Sequence, residues 1–315
     1  MKAAVVTGYG DPPEYRDFDP PEGADDTELI DVELAGINPV DIAIASGLFD
    51  AGAPPLPYVA GLEAIGTGAD GRRVWFDGAN FPWGSFAPQT VIARDKGIEV
   101  PEDISSEQAI AFGVAGTAAW LALDWRGELK PGETVLINGA SGSVGQIAIQ
   151  AARILGAGRV VGTARSESGL VKVKELGADA AVSTESDSFG QDLKEATGGG
   201  ADLVLDNLWG APVVAAIDAM AYDGRLVQVG NSAGRHAELL AGRLRGGNLD
   251  LRGHRNFAAP RETQAGAFRE MCRLSVAGEL KIDVEVVPLA GVADAWERQK
   301  ASPGHKLALS PPPSG

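Results

Sequence analysis

In the middle of the chain, short hydrophobic runs alternate with segments of helical character. Between residues 133 and 229 the strand-like runs are almost wholly apolar, and the segments between them repeat hydrophobic residues at helical spacing. The predicted strands are 134–138, 159–163, 181–182, 202–206 and 225–229, with predicted helices at 144–155 and 170–176. Continuous apolar strands joined by helices are typical of a parallel sheet covered on both faces. The pattern therefore predicts a doubly wound α/β domain.

The pattern differs on either side of this region. Before residue 105, short alternating segments such as 29–34 and 90–93 are separated by clusters of proline and glycine, which is typical of a mostly antiparallel β domain. After about residue 250 the pattern is mixed again. The predicted division is a β domain over 1–108, a doubly wound domain over 109–250 and a C-terminal segment over 251–315.

Composition and charge exclude several classes of protein. The 315 residues include 43 acidic and 27 basic side chains, which gives a net charge of −16. Such a charge repels nucleic acids and anionic membrane surfaces, so we expect neither as a partner. The sequence has one cysteine, Cys272, which rules out an internal disulfide and a cysteine-based zinc site. No hydrophobic run reaches the length of a membrane span, and we expect a cytoplasmic protein.

A glycine-rich turn joins the first predicted strand of the central domain to its helix. The run reads VLINGASGSVG, with Gly139, Gly142 and Gly145 spaced three apart. A dinucleotide pyrophosphate needs such a turn, because the backbone can approach closely and the helix N-terminus offers unpaired N–H groups. The common pattern is G-x-G-x-x-G, whereas this turn reads G-x-x-G-x-x-G. The predicted cofactor contacts in the turn are Gly139, Ala140, Ser141, Gly142, Ser143, Val144 and Gly145.

The end of the next predicted strand indicates which dinucleotide binds. An acidic residue there would bind the ribose 2′-hydroxyl of NAD, and an arginine would favour the 2′-phosphate of NADP. The chain reads Thr163-Ala164-Arg165-Ser166, with no acidic residue. Arg165 can neutralise a phosphate, although it can also be a solvated charge at the start of a helix. We predict NADPH as the cofactor, with Thr163, Arg165 and Ser166 among its contacts.

With these motifs, the chain resembles the zinc-independent quinone oxidoreductases of the medium-chain dehydrogenase/reductase superfamily. The resemblance covers nearly the whole chain, and its other motifs occur in the same order as in the family. They are Gly36-Ile37-Asn38-Pro39-Val40-Asp41, Gly61-Leu62-Glu63, Gly71-Arg72-Arg73-Val74-Trp75, Gly84-Ser85-Phe86-Ala87, Val114-Ala115-Gly116, Lys174-Glu175-Leu176-Gly177-Ala178-Asp179 and His305-Lys306-Leu307-Ala308-Leu309.

The resemblance implies a fold, an assembly and further site residues. It implies a GroES-like catalytic domain formed by both ends of the chain around a central Rossmann domain, with the active site in the cleft between them. It also implies a small-molecule substrate and a homodimer. The further cofactor contacts that it implies are Thr117, Asn207, Gly230, Asn231 and Ser232.

Several positions depart from the patterns of the superfamily. Zinc-dependent relatives carry a cysteine at the position of Asn38 and a histidine at the position of Leu62. The three histidines of this chain all lie in its C-terminal third, so we expect no catalytic metal. Related quinone and enoyl reductases often carry a tyrosine where this chain has Phe49. A tyrosine at that position therefore cannot be the proton donor here.

The other candidates for chemistry lie in the predicted β domain. The amide of Asn38 can hydrogen-bond an acceptor carbonyl or the cofactor ribose, or Asn38 can be a turn residue. Asp41 can bridge to Asn38 or cap a helix, and the phenol of Tyr58 can replace the missing tyrosine. Three aromatic residues can wall an apolar pocket or belong to the core: Phe49, Phe81 and Trp83.

Three functions remain open at this point. The first is an NADPH-dependent reductase that transfers hydride to a quinone or an α,β-unsaturated carbonyl compound. The second is a dedicated biosynthetic enoyl or ketone reductase, which differs from the first in its acceptor. The third is a non-catalytic NADPH-binding protein, a possibility that the missing tyrosine keeps open.

Overall fold

A computed structural model describes residues 1–49 and 52–313. The strands in chain order are β1 (Lys2–Val6), β2 (Glu14–Asp17), β3 (Thr27–Gly36), β4 (Tyr58–Val59), β5 (Glu63–Gly68), β6 (Arg73–Asp77), β7 (Gln89–Ala93), β8 (Ile98–Glu99), β9 (Thr134–Asn138), β10 (Arg159–Ala164), β11 (Ala180–Ser183), β12 (Ala201–Asp206), β13 (Met220–Gln228), β14 (Asp250–Gly253), β15 (Val284–Pro288) and β16 (Lys306–Ser310). The helices are α1 (Pro39–Ala45), α2 (Ser106–Ala111), α3 (Thr117–Leu123), α4 (Ser143–Ile154), α5 (Glu167–Glu175), α6 (Phe189–Thr197), α7 (Gly210–Asp218), α8 (Ala241–Gly247), α9 (Arg261–Val276) and α10 (Val292–Lys300).

The chain forms two compact units. The first contains Met1–Val114 and the C-terminal segment from Phe268, and the second contains Ala115–Ala267. Residues 109–114 and 251–267 therefore fall in other units than the sequence indicated. Residues 109–114 join the first unit, where the Val114 amide donates to the buried carboxylate of Glu63 at 2.6 Å. The segment that begins at residue 251 joins the second unit, because β14 pairs with its sheet.

The second unit is built on a parallel sheet, as the sequence predicts. Its strand order is β11-β10-β9-β12-β13-β14, which is the order of a Rossmann domain. Helices α4 to α8 pack against these strands, and Leu136, Val161 and Val204 are fully buried. The sequence analysis missed β14, because its residues DLRG are partly polar and no side chain in it is buried.

The first unit joins both ends of the chain. Its larger sheet has the order β15-β16-β3-β5-β6-β8, with β7 also paired to β3, and a smaller sheet has the order β2-β1-β4. The C-terminal strand β16 pairs antiparallel with β3, where Ala308 lies opposite Gly36. The core between these elements includes the fully buried rings of Phe76 and Phe86 and the indole of Trp296.

A buried carboxylate links four segments of the first unit. Glu63 Oε1 accepts from the Lys306 ammonium at 2.6 Å and from Asn38 Nδ2 at 2.8 Å. Its Oε2 accepts from Trp75 Nε1 at 3.1 Å and from the Val114 amide at 2.6 Å. Lys306 and Glu63 are 1% and 0% exposed. Removing one partner of such a pair leaves a buried, uncompensated charge.

We predict that Lys306→Met lowers the free energy of unfolding by about 3–5 kcal/mol, because the Glu63 carboxylate then lacks its counter-charge. The double variant Lys306→Met/Glu63→Gln should be more stable than Lys306→Met alone. Chemical denaturation of both variants measures this. Lys2→Met, which breaks an exposed ion pair with Asp17, is the control and should change stability little. A double variant no more stable than Lys306→Met would contradict the prediction.

A neutral histidine is buried in the second unit. His254 is 7% exposed, and its Nε2 lies 3.2 Å from Asn256 Oδ1. Its ring packs edge-on against Trp125, with the centroids 6.1 Å apart. Burial lowers the pKa of His254 from 6.5 to about 4; the Asn256 hydrogen bond opposes this shift and the charge of Arg126 adds to it.

The depressed pKa predicts a loss of stability in acid. Between pH 6.5 and about 4 the unfolded chain binds a proton at His254 that the folded chain does not, so the free energy of unfolding falls as the pH drops through this window. His254→Gln removes this dependence, and the stability gap between wild type and variant should narrow by a few kcal/mol from pH 7 to 4. Denaturant titrations across this range measure the gap. The exposed His236 supplies the control His236→Gln, which should keep the wild-type profile, and a constant gap for His254→Gln would refute the assignment.

Candidate functional site

The predicted glycine turn lies at the carboxyl end of β9, where α4 begins. Gly142 is the N-cap of α4, and no side chain caps this helix. The first-turn amides of a helix have no intrahelical acceptor, so they are available to an anion. A Cβ on Gly145 would lie 2.5 Å from the Ala140 Cα, which explains the glycine by close packing. A Cβ on Gly142 would meet only the Gly139 carbonyl at 3.9 Å, so this position opens onto free space.

Buried hydrogen bonds hold the start of the turn. The Gly139 amide donates to Thr163 Oγ1 at 2.9 Å, and Thr163 Oγ1 donates to Asn138 Oδ1 at 2.9 Å. Asn138 Nδ2 in turn donates to Asp206 Oδ1 at 2.7 Å. Thr163, Asn138 and Asp206 are all 0% exposed. The hydroxyl of Thr163, a residue predicted to contact the cofactor, is therefore occupied inside the protein.

The loops after β12 and β13 join the same edge of the sheet. The Asn207 amide and its Nδ2 both donate to the Asn138 carbonyl, at 3.1 and 3.2 Å. The Asn207 carbonyl accepts from the Ser232 hydroxyl at 3.1 Å, and a Cβ on Gly230 would lie 2.7 Å from it. The fold thus gathers most of the predicted cofactor residues at one edge: Gly139, Ala140, Ser141, Gly142, Ser143, Val144, Gly145, Asn207, Gly230, Asn231 and Ser232.

Arg165 lies between the end of β10 and the start of α5. Its side chain is exposed, and the described ranges contain no hydrogen-bond or ion-pair partner for it. Ser166 is the N-cap of α5 and accepts from the Gly169 amide at 3.1 Å. The first turn of α5 lies against the glycine turn, because a Cβ on Gly169 would come within 3.1 Å of the Ser141 Cβ. Arg165 therefore immediately precedes a helix whose first turn contacts the glycine turn.

Thr117 lies at the start of α3 and contacts the segment that follows β14. It is 0% exposed, and its Oγ1 accepts from Asn256 Nδ2 at 2.8 Å. Asn256 also links to His254. The sequence analysis did not single out Asn256, which follows a strand that it did not predict. Thr117 stays a prediction as a cofactor contact.

The amide of Asn38 in the first unit is fully committed. It is 3% exposed, and its Nδ2 donates to Glu63 Oε1 at 2.8 Å and to the Gly36 carbonyl at 3.3 Å. Its Oδ1 accepts from the Lys306 ammonium at 2.7 Å. Both N–H groups are therefore used inside the protein, and donation to an acceptor carbonyl would require one of these bonds to break. The signal for this arrangement was the carboxylate of Glu63 at the start of a largely apolar strand.

Asp41 is a buried carboxylate held by backbone amides. Its Oδ2 accepts from the Asn38 amide at 2.8 Å, and its Oδ1 accepts from the Leu62 amide at 2.9 Å. Burial raises its pKa from 3.8 to about 7; the Asn38 hydrogen bond opposes the shift and the charge of Glu63 adds to it. Asp41 thus lies in the first turn of α1, and its carboxyl can change protonation near neutral pH.

The phenol of Tyr58 has an unused hydrogen-bonding group. Tyr58 is 6% exposed, and its hydroxyl has no hydrogen-bond partner within residues 1–49 and 52–313. Burial and the charge of Asp41 raise its pKa to about 12. Its ring lies 6.3 Å from that of Phe81, which is half exposed. Among the described residues, neither Phe49 nor Trp83 has a ring contact with this pair, and the Trp83 indole donates to the Asp19 carbonyl.

A metal site would require a cluster of ligating side chains, and a membrane span would require a long apolar helix. Within the described ranges, no three histidine, cysteine, aspartate or glutamate side chains come together as metal ligands, and the expectation of a metal-free site stays a prediction. None of the helices in those ranges combines the length and hydrophobicity that crossing a lipid bilayer requires.

Known proteins resemble this chain across both units. A family model described as "Zinc-binding dehydrogenase" matches residues 143–273. The quinone oxidoreductase of Salmonella typhimurium is 30% identical over 85% of this chain and 85% of its own. The crystal structure of Escherichia coli quinone oxidoreductase complexed with NADPH superimposes with a TM-score of 0.90 at 26% identity, covering 99% of this chain and 100% of that one. This match confirms the predicted pairing of a GroES-like and a Rossmann domain.

A different kind of relative matches over part of a much longer chain. A phenolphthiocerol/phthiocerol polyketide synthase protein of Mycobacterium tuberculosis is 32% identical over 67% of this chain. The match spans 10% of the length of that protein. The similarity to the Salmonella protein, which extends over most of both chains, establishes the family more directly. The chain belongs to the quinone oxidoreductase-like members of the medium-chain dehydrogenase/reductase superfamily.

Proposed function

We propose that this protein is a metal-free, NADPH-dependent oxidoreductase that transfers hydride to a quinone or an α,β-unsaturated carbonyl compound. The observation that carries the proposal is the uncapped first turn of α4, with open space at Gly142. Peptide amides at a helix N-terminus bind the pyrophosphate of a dinucleotide. Membership of an oxidoreductase family supports the reaction class.

The residues of the second unit fit NADPH in particular. The amides of residues 141–145 would bind the pyrophosphate, and the unpartnered guanidinium of Arg165 would pair with the 2′-phosphate. Related structures, such as that of the Escherichia coli enzyme, are complexes with NADPH. When bound, NADPH supplies the hydride. We therefore assign cofactor binding to the glycine turn, Arg165 and the loops after β12 and β13.

We assign the acceptor chemistry to Tyr58, with Phe81 beside it. A hydride added to a quinone or an enone leaves negative charge on oxygen. The reduced quinone gains its protons on oxygen, whereas the enolate formed from an enone gains one proton at its α-carbon, directly or through the enol. Tyr58 supplies a buried phenol that stays protonated at neutral pH and whose hydroxyl is unspent. Asn38 serves to orient the backbone at α1 rather than to donate, since its N–H groups are occupied. Asp41 holds the same turn.

A second candidate is a dedicated biosynthetic enoyl reductase. It is favoured by the similarity to polyketide synthases. It differs from the first in the acceptor alone, so an acceptor panel separates the two. The non-catalytic alternative predicts tight NADPH binding without turnover across the same panel.

The wild-type chain should oxidise NADPH with naphthoquinone or an enone, and a metal chelator should leave the rate unchanged. Arg165→Ala should reduce the preference for NADPH over NADH by roughly 10- to 100-fold, because a charge-assisted phosphate contact is lost. Steady-state kinetics with both nucleotides measure kcat/KM and hence this preference.

The control for this variant is Arg245→Ala, which removes an exposed arginine of α8 in the same unit and should leave the preference unchanged. An unaltered preference in Arg165→Ala would rule out the assignment of the 2′-phosphate. Inactivation by the chelator would contradict the metal-free mechanism.

Tyr58→Phe should lower kcat with enones by about 100-fold, because the proton donor is lost, while the KM for NADPH stays unchanged. The loss with quinones should be smaller, since water can protonate the reduced oxygens. Initial rates with one acceptor of each class measure the two effects. Tyr15→Phe alters a partly exposed phenol of β2 and is the control. Equal kcat values for Tyr58→Phe and wild type with enones would exclude Tyr58 as the donor.

A further inference from the structure

We infer that Thr163, Asn138 and Asp206 form a positioning relay that holds the glycine turn in the shape that binds the dinucleotide pyrophosphate. The inference rests on the proposed function and deepens it. It gives Thr163 an indirect part in binding, through the backbone of the turn, in place of a direct contact with the cofactor.

Thr163 holds both amides at the start of the turn. Its hydroxyl accepts from the Gly139 amide at 2.9 Å, and its backbone carbonyl accepts from the Ala140 amide at 2.7 Å. These two amides therefore point into the protein. The following amides belong to the uncapped start of α4 and remain for a ligand. Loss of the hydroxyl would free the Gly139 amide to rotate and would disturb this division.

The hydrogen bonds of the relay all run in one direction. The Gly139 amide donates to Thr163, Thr163 donates to Asn138, and Asn138 donates to Asp206, over distances of 2.9, 2.9 and 2.7 Å. Bonds arranged head to tail polarise one another and strengthen the chain, and they do so most in a dry interior. The carboxylate thus fixes the rotamer of each side chain between it and the turn.

Asp206 also anchors the neighbouring loop. Its two oxygens accept from the amides of Leu208 at 3.3 Å and Trp209 at 3.0 Å. Trp209 has a φ of 53°, a conformation that a bulky residue adopts only when its surroundings enforce it. One carboxylate therefore sets the glycine turn and the loop after β12 in register with each other.

A role in stability alone would not require a buried carboxylate at the position of Asp206. Burial raises the pKa of Asp206 to about 6, and the hydrogen bonds from Asn138, Trp209 and Leu208 oppose the shift. Apolar side chains at the same strand ends would avoid the desolvation of a carboxylate. What the relay adds is a defined orientation of the turn, which a ligand held by backbone amides requires.

The test compares Thr163→Val with a matched buried threonine. Thr163→Val should raise the dissociation constants of NADPH and NADH by the same factor, roughly tenfold, because both share the pyrophosphate. Thr163→Ser should restore affinity, and Asp206→Asn should weaken both nucleotides together. Thr197→Val removes a buried hydroxyl bonded to the Leu193 carbonyl and should leave affinity unchanged at a similar loss of stability. Calorimetry and chemical denaturation measure these quantities.

The outcomes separate the relay from the proposed function. Equal losses of affinity in Thr163→Val and Thr197→Val, or a change in the ratio of NADPH to NADH affinity, would overturn the relay. Hydrogen exchange of the Gly139 amide in the free protein provides a second measurement, since the relay predicts faster exchange in Thr163→Val and not in Thr197→Val. If the wild type binds neither nucleotide, the proposed function fails, and the exchange data alone decide whether Thr163 holds the turn.

Discussion

At the carboxyl edge of the parallel sheet, buried backbone amides need acceptors, and the carboxylate of Asp206 is the final acceptor of their hydrogen-bonded network. Through Asn138 and Thr163 it reaches the Gly139 amide, and through its own oxygens it holds the next loop. In a Rossmann sheet this edge is where ligands bind. The rigidity of the glycine turn, and hence the use of its remaining amides, depends on this network.

In the first unit a buried carboxylate also accepts hydrogen bonds from buried donors, but here one of the donors carries a positive charge. Glu63 accepts from four donors, one of which is the buried ammonium of Lys306. Asp206 and Asp41 accept mainly from amides, and burial raises the pKa of both carboxyls, although the charge of Lys306 opposes the shift at Asp41. Buried carboxylates therefore organise both units, and burial brings the pKa of Asp41 and Asp206 towards neutral pH.

Hydrogen bonds inside the protein already use some of the polar groups that were predicted to react or to bind the cofactor. Asn38 and Thr163 are polar residues in family motifs, yet the hydrogen-bonding groups on which their predicted roles depend are spent inside the protein. Tyr58 and Arg165 are the opposite case, since the described residues leave the hydroxyl of one and the guanidinium of the other without a partner. The Tyr58 hydroxyl is also buried, and a buried polar group without a protein partner is costly unless a ligand or water satisfies it. The roles proposed for Tyr58 and Arg165 are thus supported by polar groups that have no protein partner, and not by residue type alone.

The sequence alone determined the parallel sheet, the glycine turn and the position of Arg165, because periodicity, turn chemistry and helix starts are local properties. It also indicated the family. Tertiary structure decided which polar groups remain free, since the partners Glu63 and Lys306 lie 243 positions apart and the partners Asn138 and Asp206 lie 68 apart. It also decided β14, whose partly polar residues join the sheet through pairing with β13. Hydrogen bonds across such separations depend on how strands are ordered in space, and local patterns carry no record of that order.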